Sequence, residues 1–308
     1  MQDIDIIFWI IFHATVGLFL LVDLLSRGRI HEVTLRKDVA WSIIWITIGL
    51  AFSGYVILNF GYGEGFRYIT AYVVEKALSV DNLFVFIVIF NYFSIPVAHQ
   101  HKTLFLGIVA AIILRGVFIF AGIALLENFS WMVYVFGVIL LYSGYKLSKD
   151  NIDKVDPEQN RIVKIARRFL KIDTEYTGGN FLVRNKGKLM FTPLILALLA
   201  IETTDVVFAF DSVPAVLALT DEFFTAYTSN ILAILGMRSL YFVLARVLRK
   251  LQYLSKGLAV VLIYLGAKFL VTAFGVEIPT ALSLVIVLGI ILVFALASLM
   301  KTSIKENK

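Results

Sequence analysis

The chain alternates long apolar segments with short polar ones along most of its length. Apolar runs of roughly 18 residues or more with few charges predict transmembrane helices, because about 20 helical residues cross a bilayer. The pattern predicts nine spans, at about residues 5–25, 40–60, 70–91, 103–126, 131–148, 190–217, 225–246, 255–274 and 280–300. The first span runs into Asp23 and Arg27 without a small-residue cleavage site, so we expect no cleavable signal peptide.

Lysine and arginine are concentrated in alternate loops between these spans. The loops after the first, third, fifth, seventh and ninth spans are basic, whereas the remaining loops carry mainly acids. Cytoplasmic loops of membrane proteins hold the excess of Lys and Arg, and nine spans place every basic loop on one side. We therefore predict an external amino terminus and a cytoplasmic carboxyl terminus.

The longest loop, residues 149–189, has a helical pattern of its own. Asp156-Pro157 is typical of a helix start, and Ile162, Ile165 and Phe169 then keep helical spacing among basic residues. The pattern predicts a short basic amphipathic helix that lies on the anionic cytoplasmic leaflet. A solvated linker is the alternative.

Composition excludes several classes of protein. Of the 308 residues, 60% are hydrophobic and only 16% are charged, which leaves too little polar surface for a water-soluble chain. The net charge of +6 resides mainly in the loops that set membrane orientation, so it does not indicate a nucleic-acid partner. With no cysteine, the chain has no disulfide, thiolate metal site or thiol redox chemistry.

Two of the apolar segments contain acids at matching spacing. Glu75 is followed six positions later by Asp81-Asn82, and Asp205 is followed six positions later by Asp211-Ser212. The second segment carries a further acid, Glu202, one turn before Asp205. Acids inside transmembrane helices are rare and mark ion or proton pathways.

The helices that follow each acidic segment also correspond to each other. Arg115 and Arg238 lie in the next span of each copy, and a Tyr-x-Gly-x-Lys motif that ends at Lys146 or Lys268 lies in the third. Three helices per copy insert the two copies with opposite orientations, which is the plan of secondary transporters with a site between inverted repeats. The predicted organisation is two peripheral helices (1–60), a first repeat (61–148), the cytoplasmic loop (149–189), a second repeat (190–275) and a last helix with its tail (276–308).

Charged side chains inside the predicted spans need an explanation. Each costs about 2.5–3.5 kcal/mol at the bilayer centre, so a set of nine unpaired charges would cost roughly 20–30 kcal/mol, more than a typical net stability of about 5–15 kcal/mol. They must be paired, protonated, hydrated or bound to an ion. A divalent cation would balance the excess of acids over bases. The acids are Glu75, Asp81, Glu202, Asp205 and Asp211, and the predicted counter-charges are Lys76, Arg115, Arg238 and Lys268.

The candidate ligands offer only oxygen atoms, which suits Mg²⁺, Ca²⁺ or Mn²⁺. On a straight helix, Asp81 and Asp211 lie about 120° away from Glu75 and Asp205, so a shared ion requires local unwinding. Pro214 provides a cause for a break in the second copy. Alternatively, the acids only form salt bridges that fix helix packing. In the first span we expect His13 to be a packed polar group and Asp23 an interfacial residue.

These segments resemble the TerC/Alx family of bacterial membrane proteins, which is named for an association with tellurium resistance. The resemblance rests on residues 75–84, on 202–205 with 210–214, and on 227–231 with 235–242, and it extends from about residue 35 to residue 275. It implies an all-α inner-membrane protein related to small LysE-like exporters. It also implies manganese export from the cytoplasm along a path lined by Glu75, Asp81, Asn82, Glu202, Asp205, Asp211 and Ser212.

Other functions stay open as alternatives. Calcium remains a candidate substrate, proton exchange a candidate driving force, and a membrane scaffold with an indirect role in tellurium resistance a further candidate. An intramembrane aspartyl protease is a remote alternative, because Asp211 follows Phe-Ala-Phe rather than the Gly-x-Gly of that class. No prosthetic group is expected, and the oligomeric state is left open.

Overall fold

The structure, a computed structural model, describes residues 6–26, 35–149, 161–173, 179–185, 188–247, 253–276 and 278–306. These residues form helices separated by one two-stranded antiparallel sheet. In chain order the elements are α1 (Ile6–Ser26), α2 (Leu35–Tyr92), α3 (Val97–Asn128), α4 (Met132–Lys149), α5 (Arg161–Phe169), β1 (Leu182–Asn185), β2 (Lys188–Phe191), α6 (Pro193–Leu217), α7 (Phe223–Ile234), α8 (Met237–Val247), α9 (Leu254–Ala273) and α10 (Thr280–Glu306).

Length and hydropathy identify the candidate membrane spans among these helices. Within the described residues, six helices are long and apolar enough to cross a bilayer, namely α1, α2, α3, α6, α9 and α10. The bent pair formed by α7 and α8 makes a seventh candidate if the two count as one span. The prediction of an all-α membrane protein is confirmed at this level.

The long helix α2 is interrupted at Gly61. Its 58 residues would extend about 87 Å as a straight helix, far more than the roughly 30 Å hydrocarbon core of a bilayer. Gly61 has φ 87° and ψ 169°, a backbone conformation that only glycine adopts readily. The residue therefore divides α2 between the segments predicted as the second and third spans.

Glycine residues allow α4 and α9 to pack closely against each other. A Cβ atom on Gly144 would lie 2.7 Å from the carbonyl oxygen of Ala259, and a Cβ atom on Gly266 would lie 2.9 Å from that of Gly137. Small residues at such positions let two membrane helices approach backbone to backbone. This explains the glycine at the centre of each Tyr-x-Gly-x-Lys motif.

The helix break lies at a different place from the predicted one. α6 continues through Pro214, so the expectation of unwinding there is wrong. Pro214 lies in the last turn of α6, where the loss of one backbone donor does not interrupt the preceding turns. The break instead separates α7 from α8, which meet at 47° across Leu235 and Gly236, where Gly236 has φ 79°.

The long loop between α4 and α6, predicted to be cytoplasmic, contains more structure than the sequence indicated. The predicted helix is present as α5, but its start at Asp156-Pro157 lies outside the described residues. α5 buries Val163 and Ala166 in the apolar core that α6 helps to form, and it leaves Ile162, Ile165 and Phe169 exposed. The β1–β2 hairpin was not predicted, because its strands have only four residues each.

α1 is attached to the bundle mainly by aromatic side chains. The ring of Phe8 lies 5.0 Å from that of Phe224 on α7, measured between centroids. His13 Nε2 lies 2.9 Å from the hydroxyl oxygen of Tyr227, also on α7. His13 thus has a hydrogen-bond partner on α7, although the residue itself is exposed.

Candidate functional site

A cavity of about 550 Å³ lies among α2, α4, α6 and α9. It brings together polar residues from both acidic segments, Asn82 from the first and Asp211-Ser212 from the second. The wall is completed by apolar residues and by Ser143 and Lys146 from α4. Oxygen donors from two separate segments therefore meet in one apolar cavity, as expected for a small-ligand site.

The Asp211 carboxylate is oriented by α4. Ser143 Oγ donates a 2.5 Å hydrogen bond to Asp211 Oδ1, and Lys146 lies close enough to interact with the same carboxylate electrostatically. A hydrogen bond to an ionised carboxylate is short and strong, so it fixes the direction of the remaining oxygen. Ser143 and Lys146 were not predicted as site residues, although the Tyr-x-Gly-x-Lys motif contains both.

The residues that follow the two aspartates face the interior. The side chain of Asn82 is 5% exposed and that of Ser212 2%, and both line the cavity. Ser212 Oγ has no hydrogen-bond partner among the described residues. It is therefore a buried oxygen available to a ligand. The side chain of Asp81 lies outside the described part of the structure.

A second polar cluster surrounds Glu75, away from the residues that line this cavity. Arg115 Nη1 lies 2.6 Å from Glu75 Oε2 and donates a 2.8 Å hydrogen bond to Asn230 Oδ1. Ser79 Oγ lies 3.4 Å from the other carboxylate oxygen of Glu75. Asp205 is buried near enough to interact electrostatically with both Glu75 and Arg115. Because α6 does not unwind, Asp205 belongs to this ion-pair cluster and Asp211 to the cavity.

Glu202 does not line the cavity. Its carboxylate faces Gly107 on α3, where a Cβ atom would lie 3.5 Å from Glu202 Oε1. Both carboxylate oxygens are buried and have no hydrogen-bond partner in the described part of the chain. The nine positions between Glu202 and Asp211 correspond to about 13 Å along α6.

Two predicted counter-charges contact groups other than the repeated acids. Arg238 Nε lies 2.8 Å from Asp23 Oδ2 on α1, and both side chains are buried. Asp23 is 5% exposed, so the expectation that it is an interfacial residue is wrong: it compensates a buried guanidinium. Lys76 donates to the carbonyl oxygens of Ala233 and Leu235, at 2.8 and 3.1 Å.

Lys268 contributes to a different cavity. That cavity has a volume of about 700 Å³ and lies near the carboxyl ends of α6 and α9, with Arg67 and Asp221 in its wall. Lys146 lines the first cavity and Lys268 the second, although both end a Tyr-x-Gly-x-Lys motif. The two related lysines thus have different surroundings.

The first cavity presents a mixed set of oxygen donors. Among the described residues, no group of three or more His, Asp or Glu side chains is arranged to hold a metal ion. The oxygens of Asp211, Ser212 and Asn82 are instead one carboxylate, one hydroxyl and one amide. Such oxygens suit Mg²⁺, Ca²⁺ and Mn²⁺ better than softer metals.

Comparison with known proteins identifies the family. The model of the integral membrane protein TerC family matches residues 61–308, which is most of the chain. The chain belongs to the TerC family. This TerC family protein is a multi-pass membrane protein, and the predicted resemblance is confirmed.

Three relatives show how far the similarity extends. An uncharacterized membrane protein STKORF319 of Myxococcus xanthus is 40% identical over 295 residues, covering 96% of this chain and 92% of the relative. The putative membrane-bound redox modulator Alx of Escherichia coli K12 is 39% identical, covering 92% and 91%. An uncharacterized membrane protein of Rickettsia bellii is 36% identical, covering 97% and 99%. No solved structure matches.

Proposed function

We propose that this TerC family protein is a secondary transporter that exports divalent cations, with Mn²⁺ as the first candidate, from the cytoplasm across the bacterial inner membrane. The observation that carries the proposal is the cavity in which Asn82 meets Asp211 and Ser212. Intramembrane carboxylates in a cavity between helices are typical of ion pathways. The metal is the transported substrate, and no resident cofactor is part of the proposal.

The donor set favours a hard divalent cation as substrate. Asp211 provides charge, while Asn82 and Ser212 provide neutral oxygens in an otherwise apolar wall. Asp81, which precedes Asn82 in the sequence, provides the second carboxylate of the proposed site. The other acids of the predicted ion path are Glu75, Glu202 and Asp205.

When the pathway holds no ion, Arg115 balances the charge of the Glu75 cluster. The Arg115 guanidinium, 2.6 Å from Glu75, compensates the Glu75 carboxylate and lies near the buried carboxyl group of Asp205. We infer that a divalent cation which approaches these carboxylates competes with Arg115. In one state the ion contacts the carboxylates, and in the other the Arg115 guanidinium has returned to them. Transport would alternate between these two states.

Helix packing supports the inverted-repeat plan. α4 and α9, the third helices of the two predicted copies, pack together through Gly144 and Gly266, which hold the same position in the two motifs. α2 packs against α7 and α8, and α6 packs against α3, which agrees with a twofold exchange of the two copies. The break at Gly61 divides α2 into two predicted spans. With the bent pair of α7 and α8 as one span and α4 as another, the proposal keeps nine spans, an external amino terminus and a cytoplasmic carboxyl terminus.

The name of the Escherichia coli relative describes a putative redox modulator. This chain contains no cysteine, so it has no thiol–disulfide couple of its own. In our proposal any redox effect is indirect and follows from a change in cytoplasmic metal concentration. A tellurium phenotype has the same indirect origin.

A flux assay tests the proposal. The purified protein is reconstituted into liposomes, and Mn²⁺ entry through inside-out molecules is followed with an enclosed metal-sensitive dye. We expect Asp211→Asn to lower the initial rate by roughly tenfold or more, equivalent to about 1.4 kcal/mol, and Asp81→Asn to do the same. Glu127→Gln at an exposed position serves as the matched control.

The outcomes separate the alternatives. Retained Mn²⁺ flux in both aspartate variants would falsify the site assignment. Faster flux of Ca²⁺ than of Mn²⁺ would change the substrate but keep the transporter. No flux of either ion, with or without a proton gradient, would contradict the transport function itself.

A further inference from the structure

At the break between α7 and α8, backbone carbonyl groups at the end of α7 lack an amide donor from a following helical turn. α7 ends at Ile234 and α8 begins at Met237, and the two helices meet at 47°. The last carbonyls of any helix lack intrahelical partners, and inside a membrane no bulk water replaces them. These oxygens also form the negative end of the α7 dipole.

Lys76 satisfies two of these oxygens from a distant part of the chain. Its Nζ atom donates hydrogen bonds of 2.8 Å to Ala233 and 3.1 Å to Leu235, across 157 and 159 residues of sequence. The neighbouring acid Glu75 is paired with Arg115 at 2.6 Å, so it does not account for the position of the Lys76 ammonium. The hydrogen bonds of the lysine therefore go to the helix end, while Glu75 interacts with its charge electrostatically.

We propose that the carbonyl oxygens of Ala233 and Leu235 form a monovalent-cation site that the Lys76 ammonium occupies. In transporters with discontinuous helices, unwound carbonyls and half-helix carboxyl ends coordinate ions such as Na⁺. Here the chain supplies the cation itself, tethered to α2. The inference does not depend on which ion the protein exports.

The two carbonyl oxygens indicate the charge of the cation that this site would bind. Two neutral carbonyls and a partial helix-end charge balance a single positive charge, whereas Ca²⁺ and Mn²⁺ favour carboxylates. Removal of the Lys76 charge therefore opens a site for a small alkali cation such as Na⁺. The wild-type protein needs no Na⁺ at the break, because Lys76 already joins α2 to the carboxyl end of α7.

Thermal unfolding of the purified protein in detergent tests this inference without any transport measurement. Lys76→Met removes the charge and keeps most of the side-chain volume. We expect its unfolding temperature to be low in N-methylglucamine chloride and to rise in NaCl, with saturation, at constant ionic strength, because a ligand that binds only the native state stabilises it. Lys76→Arg keeps a cation at the break and is expected to show no Na⁺-specific rise.

Lys268→Met serves as the matched control, since it also removes an intramembrane lysine but lies in a different cavity. The wild type and this control are expected to respond to Na⁺ and N-methylglucamine equally. A second measurement uses Tl⁺ in crystals of Lys76→Met, with an anomalous peak expected beside the carbonyls of Ala233 and Leu235.

Three results would overturn the inference. Equal instability of Lys76→Met in every salt identifies Lys76 as a simple hydrogen-bonding cap. An equal Na⁺ response in the wild type shows that the effect lies elsewhere. If Lys76→Met cannot be purified, Lys76→Ala is prepared in parallel with and without Na⁺. If no folded Lys76→Ala protein is obtained under either condition, this result also counts against a cation site.

Discussion

Arg115 Nη1 lies 2.6 Å from Glu75 Oε2, and this ion pair joins α3 to α2 at a place where both side chains are buried. Asn230 extends the pair to α7 by accepting a 2.8 Å hydrogen bond from the same guanidinium nitrogen. One arginine thus connects three helices, two from the first predicted repeat and one from the second. The ion pair and its hydrogen bond hold the three helices together.

Removal of one member of this pair is expected to destabilise the protein strongly. Arg115→Met leaves Glu75 buried and unpaired, and we expect a loss of about 3–5 kcal/mol in the free energy of unfolding. The loss is measured by denaturation in mixed micelles. The additional substitution Glu75→Gln should recover part of it, because the uncompensated charge disappears.

The matched control is the ion pair between Arg67 and Glu64, in which the arginine side chain is 40% exposed. Arg67→Met should cost only about 0–1 kcal/mol, as for other exposed pairs. Similar losses for Arg115→Met and Arg67→Met would contradict the role assigned to burial.

Ser143 is expected to affect substrate affinity through Asp211. Ser143→Ala removes the hydrogen bond that orients the carboxylate, and we expect the Mn²⁺ concentration at half-maximal flux to rise roughly 5- to 10-fold, about 1–1.4 kcal/mol. Ser148→Ala on the same helix is the control, because Ser148 is exposed and bonds only to the Tyr145 carbonyl. An unchanged half-maximal concentration in Ser143→Ala would remove Ser143 from the site.

The glycine contacts between α4 and α9 predict sensitivity to a single methyl group. Gly144→Ala would place a Cβ atom 2.7 Å from the Ala259 carbonyl, so the helices must separate, at a cost of about 1–3 kcal/mol. Gly289→Ala on α10 meets nothing within 4 Å and should be neutral or slightly stabilising. The two unfolding free energies provide the test, and equal values would show that the close approach is unimportant.

The buried ion pair between Asp23 and Arg238 predicts a structural role for α1. Asp23→Asn removes the charge that compensates Arg238, whose side chain is 1% exposed, and we expect a loss of about 3–5 kcal/mol. Asp221→Asn, at an exposed position, is the control. The same experiment in a variant that also carries Arg238→Met should show a smaller effect of Asp23→Asn, because the two charges act as a pair. Additive losses would disprove the coupling.

Much of the architecture could be read from residue patterns. Lipid-length apolar runs specified helices, because a bilayer offers the backbone no other way to satisfy its hydrogen bonds. The two acidic segments identified α2 and α6 as the elements that carry the candidate site, because charged side chains inside membrane helices are costly and usually functional. The Tyr-x-Gly-x-Lys motifs marked α4 and α9 as corresponding helices, whereas the close packing at Gly144 and Gly266 was visible only in the structure.

The arrangement of the charges could not be predicted in this way. Spacing placed Glu75, Asp205 and Asp211 in one set, whereas the straight path of α6 separates Asp205 from Asp211 and gives them different partners. Pro214 was the visible helix breaker, yet the break is at Gly236, because a proline in the last turn interrupts nothing. Partners distant in sequence, such as Asp23 for Arg238, leave no local signal.

The sequence by itself determined that this protein is an all-α membrane protein of the TerC family, with acids at matching spacing in two apolar segments. Hydrophobic length and periodicity are local properties, and each segment carries them independently. The tertiary structure alone decided which acid compensates which base, which oxygens remain for a ligand, and that Lys76 binds the end of a broken helix. Electrostatic pairing depends on distances of a few ångströms between helices, and only packing sets those distances.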